Sequence, residues 1–154
     1  MGSRPRAKAR TGVAPDSTAA LDEVRAIYRE LDARPVERFC ERRTECCQFK
    51  LTGQTPQLTK GEALVAVKAL RATGRTKLPE RSDGACPLLN PAGKCLIYEG
   101  RPFGCRTHFC AAAGGPYARR EVLDLIRRLE EVDHQLGGDG PLPIESAIKR
   151  VLPG

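Results

Sequence analysis

Seven cysteines lie between Cys40 and Cys110, and the rest of the 154-residue chain contains none. Disulfide bonds, buried core thiols, or ligation of a metal ion or iron–sulfur cluster would each explain such a density. Most of the cysteines stand beside Pro, Gly, Arg or Asn, as in GACPLL, NPAGKC and RPFGCRTHFC. Because core thiols are expected within periodic apolar runs, these loop-like surroundings favour metal or cluster ligation.

The start of the chain argues against a disulfide scaffold. The first twelve residues, MGSRPRAKARTG, are basic and lack an apolar stretch, so they do not resemble a secretory signal. The longest apolar candidate, ALVAVKAL, is interrupted by Lys68 and falls short of the ~20 residues of a membrane-spanning helix. We therefore expect a soluble, cytoplasmic protein without membrane contact, in which an odd number of cysteines stays reduced.

Part of the formal charge of +7 is concentrated at the N-terminus. Four basic side chains precede the first acidic residue, Asp16, and they are Arg4, Arg6, Lys8 and Arg10. We expect residues 1–15 to be a disordered basic tail and residues 16–154 to be a single metal-binding domain. Contact with nucleic acid through this tail is an alternative function that the charge distribution favours less.

The spacing of apolar residues predicts a mainly α domain. Four helices are expected, at 18–34, 60–73, 117–136 and 144–151. Thr59 and Glu62 form a capping-box pattern at the second helix, and Gly74 is suited to its C-terminal end. The segment from Arg75 to Gly115 is rich in Gly and Pro, so we expect irregular cysteine-rich loops around a metal or iron–sulfur centre.

The later cysteines have a wide spacing. Cys86, Cys95, Cys105 and Cys110 follow the pattern C-x8-C-x9-C-x4-C, without the C-x2-C pairs of common zinc modules. Pro87 directly follows Cys86, and a Cys-Pro step also recurs beside iron–sulfur clusters. This signal is weak by itself.

Cys46 and Cys47 are adjacent in sequence. Successive side chains diverge in regular structure, so the two thiolates are expected to bind different irons or different centres; a strained disulfide between them is the redox alternative. The pair favours a multi-iron centre, and we expect a [4Fe–4S] cluster, with zinc as the alternative. The first-choice ligands are Cys86, Cys95, Cys105 and one of this pair.

The order of these motifs resembles a known family. Cys40-x5-Cys46-Cys47, CPLL and CLIYEGRPFGCR are similar to the YkgJ-like, or CxxCxxCC, cysteine-cluster proteins, which are described as zinc- or iron-chelating. The resemblance implies that Arg101, Pro102 and Arg106 shape the loop around the site. It also implies a shared cysteine cluster, which comprises Cys40, Cys46, Cys47, Cys86, Cys95, Cys105 and Cys110.

The chain departs from this family where ERRTE replaces a further cysteine. His108 lies between Cys105 and Cys110 and is a candidate for the missing donor, although an isolated histidine is more often a hydrogen-bonding residue. Arg101 and Arg106 are candidate cofactor-binding residues that would donate hydrogen bonds or place positive charge near the thiolates. Alternatively, they cap backbone carbonyls or pair with Glu99.

These observations predict electron transfer or redox sensing with a redox or protein partner that the sequence does not identify. A structural zinc protein acting through partners is the first alternative. The second is an accessory module of a metal-dependent modifying enzyme, because flagellin lysine methylases contain a similar region. No phosphate-binding loop or catalytic triad is recognisable, so the sequence favours a metal-binding protein without independent catalysis.

Overall fold

The computed structural model describes residues 14–34, 55–80, 84–90, 94–107 and 118–152, with side chains described from Thr18 onward. These residues form a mainly helical arrangement, which confirms the predicted fold class. The predicted basic tail lies outside the described residues except for its last two positions, which belong to the first helix. No helix in the described ranges is long and apolar enough to cross a membrane.

The described part of the chain contains five α-helices and two short strands. The helices are α1 (Ala14–Ala33), α2 (Lys60–Ala72), α3 (Phe103–Thr107), α4 (Leu123–Gln135) and α5 (Ile144–Val151). The strands β1 (Gln57–Leu58) and β2 (Leu142–Pro143) pair antiparallel. Single turns of 3₁₀ helix occupy Tyr98–Gly100 and Arg119–Glu121.

Helix α2 lies between two hydrophobic clusters. Ala66, Val67 and Leu70 pack with α5 and with the cysteine-bearing segment around Leu88. Val65 belongs to a second cluster with the apolar sides of α1, α3 and α4. Since both clusters share α2, the position of this helix relates the cysteine-bearing segment to the rest of the described structure.

The start of α2 is fixed by two carboxylates. The predicted capping box is confirmed, because the backbone N–H of Thr59 donates to Glu62 Oε2 at 3.0 Å. Asp133 on α4 accepts the next amide, that of Lys60, at 2.8 Å through Oδ1. Beyond the other end of the helix, Gly74 has φ +89°, the left-handed conformation expected after a helix C-terminus.

Two predicted helix boundaries differ from the structure. Helix α1 begins at Ala14 rather than after Ser17, and the fixed φ of Pro15 suits a first helical turn. The helix predicted over 117–136 is divided, because Val122 has φ −128° and ψ 15° and separates a 3₁₀ turn from α4. The last helix, Ile144–Val151, was predicted correctly.

Gly61 allows three helices to approach closely. A Cβ atom at this position of α2 would lie 2.8 Å from Val132 Cγ1 on α4 and 2.9 Å from Val24 Cγ2 on α1. Both neighbours are branched, buried side chains with little room to move. The absence of a side chain at residue 61 is therefore a condition for this packing.

We expect Gly61→Ala to lower the free energy of unfolding by about 1–3 kcal/mol, as overpacking of a core does. Urea denaturation at a fixed pH measures this change. Gly104→Ala is the matched control, because its Cβ would meet Pro56 Cβ only at 3.8 Å. Equal stabilities of the two variants would contradict this account of the helix packing.

Candidate metal centre

Backbone hydrogen bonds hold Cys86 and Cys95 in one local unit. The amide of Leu89 donates to the carbonyl of Cys86 at 3.0 Å, and Leu96 donates to Leu88 at 2.8 Å. Leu89 and Cys95 form an antiparallel bridge. These contacts join residues 86–90 to residues 94–96, so the two cysteines lie on the two arms of one hydrogen-bonded unit, called the cysteine hairpin below.

Asn90 joins the two arms where they lead into residues 91–93, which are outside the described ranges. Its amide donates to the carbonyl of Lys94 at 2.8 Å, and its side-chain Oδ1 accepts the amide of Lys94 at 2.9 Å. Asparagine suits this position because its side chain can bond to nearby backbone groups. The register of the cysteine hairpin is therefore set by local hydrogen bonds.

The two hairpin cysteines differ in burial. Cys86 is 4% exposed and belongs to the hydrophobic cluster of α2 and α5. Cys95 is half-buried and packs against the same cluster. Both are thiols rather than half-cystines. The core therefore supports the cysteine hairpin from one side and leaves Cys95 accessible in part.

Cys105 lies on the short helix α3. Its amide and that of Arg106 both donate to the carbonyl of Pro102 at 3.1 Å, which forms the first turn of this helix. The thiol is half-buried and lies close enough to Tyr28 on α1 to contribute to the raised pKa of the tyrosine. The next residue, Arg106, connects this short helix to α1 through its ion pair with Asp32.

The donor chemistry fits a soft metal centre. All three described candidate ligands, Cys86, Cys95 and Cys105, are thiols, and thiolates are preferred ligands of zinc and of iron–sulfur clusters. Within the described ranges, no three Cys, His, Asp or Glu side chains come together as a metal site. The other predicted donors lie outside these ranges, and they are Cys40, Cys46, Cys47, His108 and Cys110. Their ligation stays a prediction.

Arg106 is a buried organising residue. Its exposure is 6%, and its Nε and NH2 groups donate to the carbonyls of Arg101, at 2.8 Å, and Glu99. Its NH1 group donates to Asp32 Oδ2 at 2.8 Å, and its guanidinium lies over the ring of Tyr28, 4.2 Å from the centroid. The side chain therefore ties the segment before Cys105 to α1.

Arg101 has a more local role in the structure. Its Nε donates to the carbonyl of Tyr98 at 2.9 Å, and its guanidinium lies 3.9 Å from the centroid of the Tyr98 ring. Both arginines thus bind backbone carbonyls, which was the alternative to a direct effect on the thiolates. The tuning of a bound centre by Arg101 and Arg106 stays a prediction.

Glu62 is a site residue that sequence reasoning recognised only as a helix cap. The carboxylate is 2% exposed and accepts hydrogen bonds from the amide of Phe103 at 2.7 Å and from the Tyr28 hydroxyl at 3.4 Å. Burial raises the pKa of Glu62 above its ordinary value of 4.5, while the donated hydrogen bonds lower it in part. One carboxylate therefore connects α1, α2 and the start of α3.

Tyr28 completes this buried network. Burial is the main reason that the pKa of its hydroxyl is raised well above 10.0, and the negative charge of Glu62 adds to the shift. The phenol is therefore the form that donates to Glu62 near neutral pH. The guanidinium of Arg106 acts in the opposite direction on this pKa.

The described structure is a mainly helical protein in which α2 and α5 pack against a segment that carries two cysteines, Cys86 and Cys95. A family model described as "Putative zinc- or iron-chelating domain" matches residues 39–127, a range that contains all seven cysteines. The chain belongs to this family, CxxCxxCC, and the resemblance drawn from the sequence is thereby confirmed. No curated protein and no solved structure was found to match the chain. Family membership supports metal binding.

Arg106→Lys should lower the free energy of unfolding by about 2–4 kcal/mol, because the single nitrogen of lysine cannot occupy the three separate donor positions of the guanidinium and each unpaired buried acceptor costs about 1–3 kcal/mol. Asp32→Asn should cost at most about 1 kcal/mol, since the Asp32 side chain is 55% exposed. Chemical denaturation of both variants measures the difference. A larger loss for Asp32→Asn would show that the ion pair, rather than carbonyl binding, is the main contribution of Arg106.

The raised pKa of Glu62 predicts a pH dependence of stability. The Glu62 carboxyl binds a proton more tightly in the folded state than in the unfolded state. Its contribution to the free energy of unfolding therefore falls as pH rises from 4.5 through its folded pKa. Glu62→Gln should remove this slope, although it lowers stability overall by disturbing the donors. Thermal melts across this pH range provide the measurement.

Asp124 provides a control of opposite sign. The hydrogen bond from Arg34 holds the pKa of Asp124 below 3.8. The contribution of Asp124 to the free energy of unfolding is therefore lost as pH falls through this lowered pKa. Asp124→Asn should therefore change the acid side of the profile and leave the slope above pH 4.5 intact. Identical profiles for wild type and Glu62→Gln would contradict the assignment to Glu62.

Proposed function

We propose that this chain holds an iron–sulfur cluster, most simply [4Fe–4S], through its cysteine thiolates and serves in electron transfer or redox sensing. The observation that carries the proposal is the cysteine hairpin, which joins Cys86 and Cys95 in one hydrogen-bonded unit supported by the core. Family membership supports zinc or iron as the metal. The choice of a cluster rests on the donor set.

The proposed ligands are Cys86, Cys95, Cys105 and either Cys46 or Cys47. Soft thiolates dominate this set, and adjacent cysteines suit a centre that contains several irons better than a single tetrahedral ion. A cluster bound here would supply one-electron chemistry. Cys40, Cys110 and His108 would then surround the centre, act in redox exchange or complete a second site.

The chain's own residues would position these ligands. Arg106 binds the carbonyls of Glu99 and Arg101, both of which lie between Cys95 and Cys105. This segment is therefore held in a defined shape on the α1 side of the structure. In the proposal, Arg101 and Arg106 also place positive charge near the thiolates, which would stabilise their deprotonated form.

Structural zinc is the alternative cofactor, because the family description includes zinc as well as iron. In that case the metal would stabilise the irregular segments and the protein would act through a partner. We propose a redox partner for the cluster form and a protein partner for the zinc form. A role as a module of a modifying enzyme would need a catalytic partner chain.

Cys95→Ser is the sharpest test of the ligand assignment, because Cys95 is only partly buried and serine preserves its size. Wild type purified without air should be brown and contain iron and acid-labile sulfide in stoichiometric amounts. The variant should lose most of both. Elemental analysis and visible absorption measure these contents.

Lys94→Ser is the matched control, since it introduces the same side chain one residue earlier at an exposed position. It should retain the full metal content. If the wild-type protein is colourless and contains zinc, the cluster proposal is wrong and the structural zinc alternative is supported. Full metal content in Cys95→Ser would remove Cys95 from the ligand set.

A further inference from the structure

An open groove lies between α1 and α2 and ends at the 3₁₀ turn Tyr98–Gly100. Its volume is about 540 Å³, within the range of small-molecule sites. Helix α1 contributes residues at positions 25, 28, 29 and 32, and α2 contributes residues at 65, 68, 69 and 72. This spacing places one face of each helix along the groove.

The residues that line this groove are of two kinds. The apolar ones on α2, which we call the floor, are Val65, Ala69 and Ala72, and the cationic ones on the two helices, which we call the rim cations, are Arg25, Arg29 and Lys68. Gly100 closes the end, where its lack of a side chain lets the turn approach Ala69. The groove therefore combines apolar contact area with basic groups, and we call it the basic groove.

The three rim cations are not neutralised within the described part of the chain. No side-chain hydrogen bond or ion pair is formed there by Arg25, Arg29 or Lys68. By contrast, Arg34 pairs with Asp124, and Arg128 pairs with Glu23 and Glu30. Like charges four residues apart on a helix repel each other, so an anion between Arg25 and Arg29 would relieve an unfavourable contact.

Two acidic residues also line the basic groove, but they leave its charge positive. Asp32 pairs with the buried Arg106, so this pair adds no net charge to the groove. Glu99 is the other acidic residue, and its single negative charge is smaller than the three positive charges of the rim cations. The remaining excess of positive charge favours a ligand with at least two negative charges.

We propose that the basic groove binds a small organic anion that carries several phosphate or carboxylate charges beside an apolar portion. Arginine guanidinium groups recognise both kinds of anion through paired hydrogen bonds. The apolar floor would contact the uncharged part of the ligand. Arg106 also lines the groove and belongs to the proposed metal centre, but none of the three rim cations is a proposed metal ligand, so replacing these cations tests the groove without removing a ligand.

Calorimetric titration of the full-length protein with ATP and with citrate, at fixed ionic strength, tests this proposal. The two probes separate polyphosphate from polycarboxylate recognition. Saturable binding of at least one probe is expected, and the triple variant Arg25→Gln, Arg29→Gln, Lys68→Gln should bind that probe at least about tenfold more weakly. The metal content of this variant should equal that of wild type.

A second triple variant controls for charge. Arg119, Arg120 and Arg127 are exposed and lie outside the basic groove, so replacing all three by Gln removes the same charge. This control should bind within about twofold of wild type. If the groove triple fails to fold, the single variant Arg29→Gln, at an exposed position, should still weaken binding about threefold.

Three results would overturn the proposal. The first is the absence of saturable binding for both probes. The second is an equal loss of affinity in the groove and control triples, which would indicate non-specific attraction to a basic protein. The third is tighter binding of a polyglutamate peptide than of either small anion, which would make the groove a contact surface for an acidic protein.

Discussion

The buried carboxylate of Glu62 is the interaction on which the described structure depends most. It begins α2 through Thr59, receives the Tyr28 hydroxyl from α1, and accepts the Phe103 amide at the start of α3. A carboxylate that is buried away from solvent must be hydrogen-bonded to protein groups. The groups that bind Glu62 come from three separate segments. Glu62 therefore has all its hydrogen-bond donors only when the helices are assembled, and the assembled helices need these donors because the carboxylate is buried.

Arg106 extends the same network toward the cysteines. Its guanidinium covers the ring of Tyr28 and binds two carbonyls of the segment that precedes Cys105. Together, Glu62 and Arg106 hold the two ends of α3, a helix of only five residues that is too short to be stable alone. The placement of Cys105 is thus a consequence of buried polar contacts as well as of apolar packing.

The helices were largely predictable because their apolar residues recur at helical spacing and because local caps mark their ends. Thr59, Glu62 and Gly74 each act over one turn, so the sequence around α2 contains the needed information. The interruption at Val122 was not predicted, because the apolar residues keep their helical spacing across this position. The backbone of Val122 is nevertheless non-helical.

Long-range polar contacts were beyond sequence reasoning for a different reason. The contacts of Asp133 with the amide of Lys60 and of Arg106 with Asp32 join residues that only the tertiary fold brings together. The sequence contains a signal for Asp133, because an acidic residue on one helix can cap the N-terminus of a helix that packs beside it. Without the packing of α4 against α2, that signal could not be assigned.

The motif GRPFGCR illustrates how ligand chemistry and folding are joined in one stretch of sequence. Pro102 is buried and its carbonyl starts α3, Phe103 contributes its amide to Glu62 and its ring to the core, and Arg106 returns to bind the backbone before the helix. Only Cys105 within this motif is a candidate ligand. The specificity of the motif is therefore explained mainly by the contacts that position the thiol, which is why it identifies a family more securely than it identifies a metal.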